Sequence, residues 1–189
     1  PGYSENGGTG SARDFYMESS FGQYEPMIDV YGPVVLPHEM KYYGAPSAGA
    51  NDIRPAEMIR DACQLLDSEI DFSEYDLDQD GAIDNVYLFY AGYGQADGGN
   101  VNTIWPHAWY VWQGARIMAT FDGVQLDRYA CSNEIQSGSN EMVGIGTFCH
   151  EFGHVLGLPD LYSASYSSTE HPGNWTLMAS GSYNNNGKT

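Results

Sequence analysis

Two histidines four residues apart, with a glutamate directly after the first, form the pattern in this sequence that most clearly indicates chemistry. His150, Glu151 and His154 make up the motif His-Glu-x-x-His. Residues four apart lie on the same face of a helix, so both imidazoles can reach one metal ion at roughly 2.0–2.1 Å. Glu151 is offset by about 100° around the helix, and can act beside the metal as a general base for an activated water molecule. The spacing therefore predicts a catalytic zinc centre.

The residues that follow the motif predict a third ligand. Gly157 stands where a left-handed helix cap needs a residue without a Cβ, and Pro159 cannot continue the helix. The chain is therefore expected to reverse and to bring the carboxylate of Asp160 toward the metal. Two histidines and one carboxylate leave the fourth position open, as a catalytic zinc site requires. The alternative is a polar helix with two incidental histidines, but the apolar helix, the glycine and the carboxylate together favour the catalytic interpretation.

The helix that carries the motif is predicted over 140–156, because apolar residues recur there at steps of three and four. These residues are Met142, Ile145, Cys149, Phe152 and Leu156. The two histidines lie off this stripe, so the core and the metal are expected on different sides of the helix. Gly144 and Gly146 either weaken the first turns or allow close packing under the site, and the sequence leaves both alternatives open.

A methionine among small and turn-forming residues gives a second signal, in the segment 173–183. In zinc proteases of the metzincin type, a tight turn with a methionine lies beneath the metal site. Met178 is therefore predicted to pack against the metal site without binding the ion, although a gap-filling core methionine is the alternative. Some metzincins have a tyrosine two residues after the methionine. Ser180 stands at that position here and Tyr183 is further on, so no metal-bound tyrosine is predicted.

The sequence around these motifs resembles the immune inhibitor A family of secreted bacterial metallopeptidases, which are metzincin-like. The resemblance spans nearly the whole chain. It is carried by residues 144–162 and 175–178 and, less specifically, by 10–16, 20–22, 31–33 and 104–107. The family has an aspartate where the general metzincin motif ends in histidine, and Asp160 fits that position. The resemblance implies that His150, His154 and Asp160 bind zinc, that Glu151 is the catalytic base, and that the chain is a secreted zinc-dependent endopeptidase.

An acidic loop predicts a second metal. Residues 76–84 read Asp-Leu-Asp-Gln-Asp-Gly-Ala-Ile-Asp, which matches most of an EF-hand calcium loop, although Tyr87 stands where the bidentate glutamate belongs. The residues that follow look like a strand, so structural calcium is predicted without the EF-hand fold. The family resemblance also implies calcium, and a solvated acidic turn is the alternative. The predicted ligands are Asp76, Asp78, Asp80, the backbone carbonyl of Ala82, and Asp84 or another carboxylate.

Composition restricts the class of protein. The 189 residues, 42% hydrophobic and 17% charged, predict a single folded domain over 1–189. The net charge of −18 disfavours nucleic acid and anionic membranes as partners, and no apolar run reaches the roughly 20 residues of a membrane span.

Cys63, Cys131 and Cys149 make no disulfide framework, and a Cys63–Cys131 pair is the less favoured alternative. We expect a monomeric fragment of a longer secreted precursor that acts on proteins or peptides.

The order of predicted elements suits an α/β (α+β), metzincin-like catalytic domain. In such a domain a twisted mixed sheet packs on helices, and the zinc helix and Met-turn form the cleft floor. The predicted elements are helices over 11–20, capped by Ser11, and 52–70, strands over 27–36 and 86–91, and a hairpin of 116–121 and 124–130 around Asp122-Gly123. The hairpin is the candidate edge for a substrate strand.

Aromatic and imidazole side chains near the hairpin leave several interpretations open. Trp105, Trp109 and Trp112 could line the cleft or pack in the core or at its rim. His107 could assist catalysis, but a structural hydrogen-bonding histidine is favoured.

Two other functions are compatible with the sequence. The first is a non-catalytic, calcium-stabilised surface binding module with a degenerate protease fold, against which the intact His150, Glu151, His154 and Asp160 argue. The second is a zinc amidase on the same scaffold, which nothing in the sequence excludes.

Overall fold

The computed structural model describes residues 9–45, 52–136, 140–163 and 172–188. They divide into two compact units, one of Pro1–Val30 with Met142–Thr189 and one of Tyr31–Glu141. The helices are α1 (Ala12–Ser19), α2 (Met40–Gly44), α3 (Pro55–Leu66), α4 (Val111–Ala115) and α5 (Ile145–Val155), and the strands are β1 (Val86–Tyr93), β2 (His107–Tyr110), β3 (Ala119–Phe121), β4 (Val124–Leu126) and β5 (Arg128–Ile135). Short 3-10 helices span Phe72–Tyr75, Gly173–Trp175 and Ser180–Gly187, the last called the C-terminal 3-10 helix below. Within the described ranges, no helix combines the length and apolarity needed to cross a bilayer.

A three-stranded mixed sheet forms the centre of the unit Tyr31–Glu141. β5 is the middle strand, with β1 parallel on one side and β2 antiparallel on the other. Residues 129–133 of β5 are at most 1% exposed, as expected for a strand that is covered on both faces. Met58 and Ile59 of α3 belong to the same buried cluster as Tyr129 and Cys131 of β5. Helices packed with a mixed sheet confirm the α/β class, while the metzincin assignment stays a prediction.

Two of the predicted elements in this unit form with adjusted bounds. The strand predicted over 86–91 is β1, which continues to Tyr93. The helix predicted over 52–70 is α3, which is shorter at both ends. It begins with Pro55 at its first position, where the missing N–H is not needed and the fixed φ suits a helix. Ile70, although buried, lies beyond the end of the helix.

The strand predicted over 27–36 is wrong, because no residue of that stretch belongs to a strand. Met27, Val30 and Val35 are 81%, 90% and 93% exposed, and Leu36 at the end of the run packs against the buried cluster, so most of the apolar run is not buried. Pro33 has no N–H to contribute to a strand ladder.

The predicted hairpin forms, but it does not join the larger sheet. β3 and β4 flank Asp122 and Gly123, whose φ values of 49° and 91° suit a two-residue turn. The second strand stops before Asp127, whose carbonyl and carboxylate accept the N–H groups of Val111 (2.7 Å) and Trp112 (3.1 Å). The hairpin is a separate two-stranded sheet. The hairpin is therefore not an edge of the larger sheet, whose outer strands are β1 and β2, and its pairing with a substrate strand stays a prediction.

In the other unit, α1 is anchored to α5. Ser11 caps α1 as predicted, because its Oγ accepts the N–H of Asp14 (3.2 Å) while Asp14 accepts the N–H of Ser11 (2.9 Å), a capping box. Tyr16 of α1 is buried, and its hydroxyl donates to the carbonyl of Cys149 at 2.5 Å. Its ring also meets that of Phe152 edge-on, with centroids 5.4 Å apart.

The helix predicted over 140–156 begins later than expected. Met142 lies before α5 and is 69% exposed, so the start of the predicted apolar stripe is wrong. The first turn of α5 packs closely on the C-terminal 3-10 helix. A Cβ on Gly144 would lie 2.1 Å from the carbonyl oxygen of Gly187, and one on Gly146 would lie 2.0 Å from that of Ser182. Of the two alternatives for these glycines, close packing is the one observed.

None of the three cysteines forms a disulfide, and all three are buried. Burial raises the pKa of Cys63 and of Cys149 to about 12. Both thiols are therefore protonated at neutral pH, as expected for small buried hydrophobic residues rather than nucleophiles.

Candidate metal centre

The end of α5 and the reversal after it bring three potential ligand atoms together. The Nε2 atoms of His150 and His154 are 3.2 Å apart. Oδ1 of Asp160 lies 3.3 Å from the first and 3.2 Å from the second. Ligands that surround zinc tetrahedrally at roughly 2.0–2.1 Å are about 3.3–3.4 Å from one another. The three atoms thus have the spacing of three corners of a zinc site.

Backbone carbonyls determine which ring nitrogens carry protons. Nδ1 of His150 lies 2.8 Å from the carbonyl oxygen of Leu177, and Nδ1 of His154 lies 2.8 Å from that of Leu158. A carbonyl oxygen only accepts, so each Nδ1 carries the proton and each Nε2 presents a lone pair. Lone pairs of two nitrogens and one carboxylate oxygen therefore converge without a proton between them. A cation at their centre relieves that repulsion, so the residues fit a bound metal.

The environment of His150 favours its neutral form. Burial lowers the pKa of His150, and the nearby His154 lowers it further, against the opposing effects of the Leu177 carbonyl and Asp160. A metal binds the neutral imidazole, and a lowered pKa reduces competition from protons.

Glu151 lies beside these ligand atoms. One of its carboxylate oxygens is within 4.8 Å of the ligand nitrogens of His150 and His154. The residue is only 7% exposed. A carboxylate so close to the two imidazole nitrogens can exchange a proton with a molecule bound there.

Gly157 makes the reversal that brings Asp160 back. Its φ of 90° is in the left-handed region, which confirms the predicted cap. The N–H of Gly157 donates to the carbonyl of His154 (2.9 Å), and the N–H of Leu158 donates to that of Gly153 (3.0 Å). The same turn directs the Leu158 carbonyl at the ring of His154, so one local structure sets both a ligand orientation and the return of the chain.

Met178 packs against α5. It is 4% exposed, and its Sδ lies 2.8 Å from the position of a Cβ on Gly153, so a larger residue at position 153 would require the Met178 side chain to shift. Its carbonyl accepts the N–H of Leu161 (2.8 Å), and the preceding Leu177 holds the ring of His150. Met178 thus lies in the turn that supports two of the potential ligands, and its assignment as a metzincin Met-turn stays a prediction.

Tyr162 also belongs to this centre, and sequence reasoning missed it. Its ring stacks on that of His150, with centroids 6.5 Å apart and planes 20° from parallel. Burial raises the pKa of Tyr162 to about 12, and Asp160 adds to the increase. The sequence offered one signal that could have identified Tyr162, namely its position two residues after Asp160, the predicted third ligand.

The acidic loop gathers three of the predicted calcium ligands. Oxygens of Asp76, Asp78 and Asp80 lie within 4.8 Å of one another. Loop N–H groups bind the same carboxylates, since Asp76 accepts from Asp80 (2.9 Å) and from Gly81 (3.0 Å), whose φ is 88°. Asp84 is not part of this group. Burial raises its pKa, and the charges of the other three carboxylates raise it further. Calcium itself stays a prediction here.

His107 is held by hydrogen bonds at both ring nitrogens. Nδ1 lies 2.6 Å from the carbonyl oxygen of Trp105, and Nε2 lies 2.9 Å from the hydroxyl of Tyr129. Burial lowers the pKa of His107, which keeps it neutral. These contacts fit the favoured structural role. Trp105, Trp109 and Trp112 are all about half exposed, so none of the three is a deep core residue.

Sequence comparison relates this chain to known metallopeptidases. The family model for the catalytic domain of immune inhibitor A peptidase M6 matches residues 2–189. Immune inhibitor A of Bacillus thuringiensis subsp. alesti is 29% identical over 199 residues, which cover 90% of this chain and 28% of that protein. Pre-pro-metalloprotease PrtV of Vibrio cholerae serotype O1 is 29% identical over 215 residues, which cover 96% of this chain and 23% of that protein. The chain thus spans about a quarter of the length of these curated relatives. It belongs to the immune inhibitor A family of metallopeptidases and matches the catalytic domain of that family.

Proposed function

We propose that this domain is a zinc-dependent endopeptidase that hydrolyses peptide bonds in proteins, with His150, His154 and Asp160 as zinc ligands. One observation carries the proposal. Three lone-pair atoms converge within 3.3 Å of one another, while both ring protons are bonded to backbone carbonyls. Zinc suits two imidazoles and one carboxylate with a fourth position left open. Membership in a metallopeptidase family supports the same chemistry.

The reaction assigns separate tasks to the residues of the centre. A zinc ion held there supplies activation of a water molecule and polarisation of the scissile carbonyl. Glu151 accepts the proton of the attacking water on its carboxylate and later delivers it to the leaving amine nitrogen. The carbonyls of Leu177 and Leu158 hold the imidazoles in one tautomer and orientation, so the ligands do not reorganise during the reaction.

Casein degradation tests the proposal, measured for the wild-type chain with and without a zinc chelator and beside Glu151→Gln. The substitution keeps the shape of the side chain and removes the base. It should leave zinc binding intact and lower hydrolysis by at least roughly 100-fold. Glu18→Ala is the matched control, because Glu18 is an exposed helical glutamate of the same unit. A Glu151→Gln variant that keeps wild-type activity would remove Glu151 from the mechanism.

The same assay separates the rival functions. A non-catalytic binding module would show no chelator-sensitive hydrolysis of any substrate. A zinc amidase would cleave small amides but leave casein and extended peptides intact. Hydrolysis of internal peptide bonds, inhibited by chelation, is the result that the endopeptidase proposal requires.

We further propose structural calcium in the acidic loop, supported by the loop spacing and by the three carboxylates within 4.8 Å of one another. A ligand present at 100 times its Kd stabilises the folded state by about 2.7 kcal/mol, so added calcium should raise the Tm. Asp76→Asn should abolish the increase. Glu69→Gln, at an exposed site, should retain it. No calcium-dependent change in the wild-type chain would leave the loop as a solvated acidic turn.

We infer that the protein acts outside the cell, as a monomeric domain with proteins or peptides as substrates. The name of the Vibrio relative, pre-pro-metalloprotease PrtV, describes a pre-pro form, which supports a secreted precursor. Gel filtration with light scattering tests the monomeric state, and detection of the protein in culture medium tests secretion.

A further inference from the structure

We propose that Thr176 is a positioning residue of the metal centre, whose hydroxyl orients the peptide unit that holds the ring of His150. This inference rests on the proposed function and deepens it. It adds a residue that is neither one of the proposed ligands nor the base.

One peptide unit links Thr176 to His150. The N–H of Met178 donates to Oγ1 of Thr176 (3.3 Å), and the carbonyl of Leu177 accepts the Nδ1–H of His150 (2.8 Å). This N–H and this carbonyl belong to the same peptide unit. A trans peptide unit is planar, and its N–H and C=O point in opposite directions. A contact that directs the N–H at the threonine hydroxyl therefore directs the carbonyl oxygen the other way, at the imidazole.

The backbone of Thr176 is held by the turn that follows it. Its carbonyl accepts the N–H groups of Ala179 (3.2 Å) and Gly181 (3.0 Å). A Cβ on Gly181 would lie 2.3 Å from that carbonyl oxygen, so the glycine permits the close approach. Thr176 itself has a φ of −137° and a ψ of 141°, extended values that suit a β-branched side chain. The hydroxyl thus projects from a well-anchored backbone.

The orientation of this peptide unit matters for the tautomer of His150. The unit lies in a turn, so its direction depends on individual contacts rather than on the ladder of a helix or strand. Either nitrogen of a neutral imidazole can carry the proton. The Leu177 carbonyl selects Nδ1–H and leaves the lone pair of Nε2 for a metal. His154 relies on a different carbonyl, that of Leu158 (2.8 Å), so the effect of Thr176 is specific to His150.

Zinc affinity, measured by competition with a chromogenic chelator, tests the proposal. Thr176→Val keeps the branched shape of the side chain and removes the hydroxyl, so we expect the zinc Kd to rise by roughly 3- to 10-fold. Loss of a direct partner of a ligand typically costs roughly 10- to 100-fold, and Thr176 acts through an intervening peptide unit. Thr176→Ser retains the hydroxyl and should restore nearly the wild-type Kd.

Thr103→Val is the matched control. It also removes a threonine hydroxyl that bonds nearby backbone, since Oγ1 of Thr103 donates to the carbonyl of Asn100 (2.7 Å). Thr103 belongs to the other compact unit, so the control should bind zinc as the wild type does.

A second measurement separates orientation of the ring from general loosening of the turn. In the zinc-free protein at alkaline pH, the ¹⁵N chemical shifts of an imidazole report which nitrogen carries the proton. Thr176→Val should move the balance for His150 from Nδ1–H toward Nε2–H. The balance for His154 should stay unchanged, which makes this ring an internal control.

The role of the hydroxyl would be overturned by an unchanged zinc Kd in Thr176→Val, or by an equal loss of affinity in Thr176→Val and Thr176→Ser. An equal change of tautomer at both histidines would overturn it as well. A wild-type chain without measurable zinc affinity would overturn the proposed function instead, while the tautomer of His150 would still test Thr176. Zinc binding by Glu151→Gln at wild-type affinity, with hydrolysis lost, would sustain that function whatever Thr176→Val shows.

Discussion

Gly153 is the position at which one added methyl group tests how α5 packs on Met178. A Cβ there would lie 2.8 Å from Sδ and 3.4 Å from Cε of Met178. In an open helix, alanine in place of glycine stabilises by about 1 kcal/mol. Here the methyl group must displace a buried side chain, and overpacking of a core costs roughly 1–3 kcal/mol. Gly153→Ala should therefore lower the free energy of unfolding, by up to about 2 kcal/mol.

The same substitution should change sign when Met178 is truncated. Met178→Ala alone should cost about 2–5 kcal/mol, as for other buried methionines, but it removes the atoms that the new methyl group would meet. In that background Gly153→Ala should stabilise by up to about 1 kcal/mol. The difference between the two backgrounds, about 1–3 kcal/mol, is the coupling energy of the pair. Urea unfolding of all four proteins at one fixed concentration of free zinc measures it.

Gly114 supplies the control for this cycle, because it is also a helical glycine, in α4. A Cβ there would come no closer than 3.4 Å to a neighbouring atom, the Cδ1 of Trp109, so Gly114→Ala should be tolerated. If Gly153→Ala stabilised the protein by about 1 kcal/mol whether or not Met178 was present, the close packing of Met178 on α5 would be refuted.

Two further predictions concern the turn after α5 and a buried carboxylate. Gly157→Ala places a residue with a Cβ at a position whose φ is 90°. The substitution should therefore lower the free energy of unfolding by about 1–2 kcal/mol and weaken zinc affinity. Thermal unfolding and a zinc titration check both effects, and an unchanged zinc Kd would contradict the role of the turn. Burial raises the pKa of Asp52 from 3.8 to about 6. Because folding favours its protonated form, the stability it contributes is present below about pH 4 and is lost as the pH rises through about 6, on the order of 3 kcal/mol in total. Asp52→Asn should flatten this part of the pH dependence in urea unfolding, and a slope equal to that of the wild type would contradict the shift.

The parts of the structure that the sequence predicted well are those set by local chemistry. Ser11 and Asp14 form a capping box from residues three apart, and Asp122-Gly123 makes a turn that needs little beyond its own φ preferences. The spacing of His150 and His154 on one helix follows from helical geometry alone. Gly157 ends that helix for an equally local reason, since a left-handed cap favours a residue without a Cβ.

The parts that sequence reasoning missed depend on contacts between distant segments. The apolar run over 27–36 has strand composition, but a strand also needs a partner, and none forms there in the described structure. The hairpin strand that ends before Asp127 does so because that residue binds the start of α4. Likewise, the carbonyl of Leu177 reaches His150 across 27 positions of the chain, which no periodic pattern encodes.

The aspartate at the third ligand position affects the strength of the proposed zinc centre as an electrophile. Compared with a third neutral imidazole, the carboxylate of Asp160 reduces the formal charge of the centre by one unit. This strengthens the electrostatic attraction for the metal but weakens the polarisation of a substrate carbonyl. An oxygen of Glu151 lies within 4.8 Å of the nitrogens of His150 and His154, and in the proposed mechanism this carboxylate takes up the proton instead of binding the metal. In the proposed centre, one carboxylate therefore attracts the metal while a second one serves as the base.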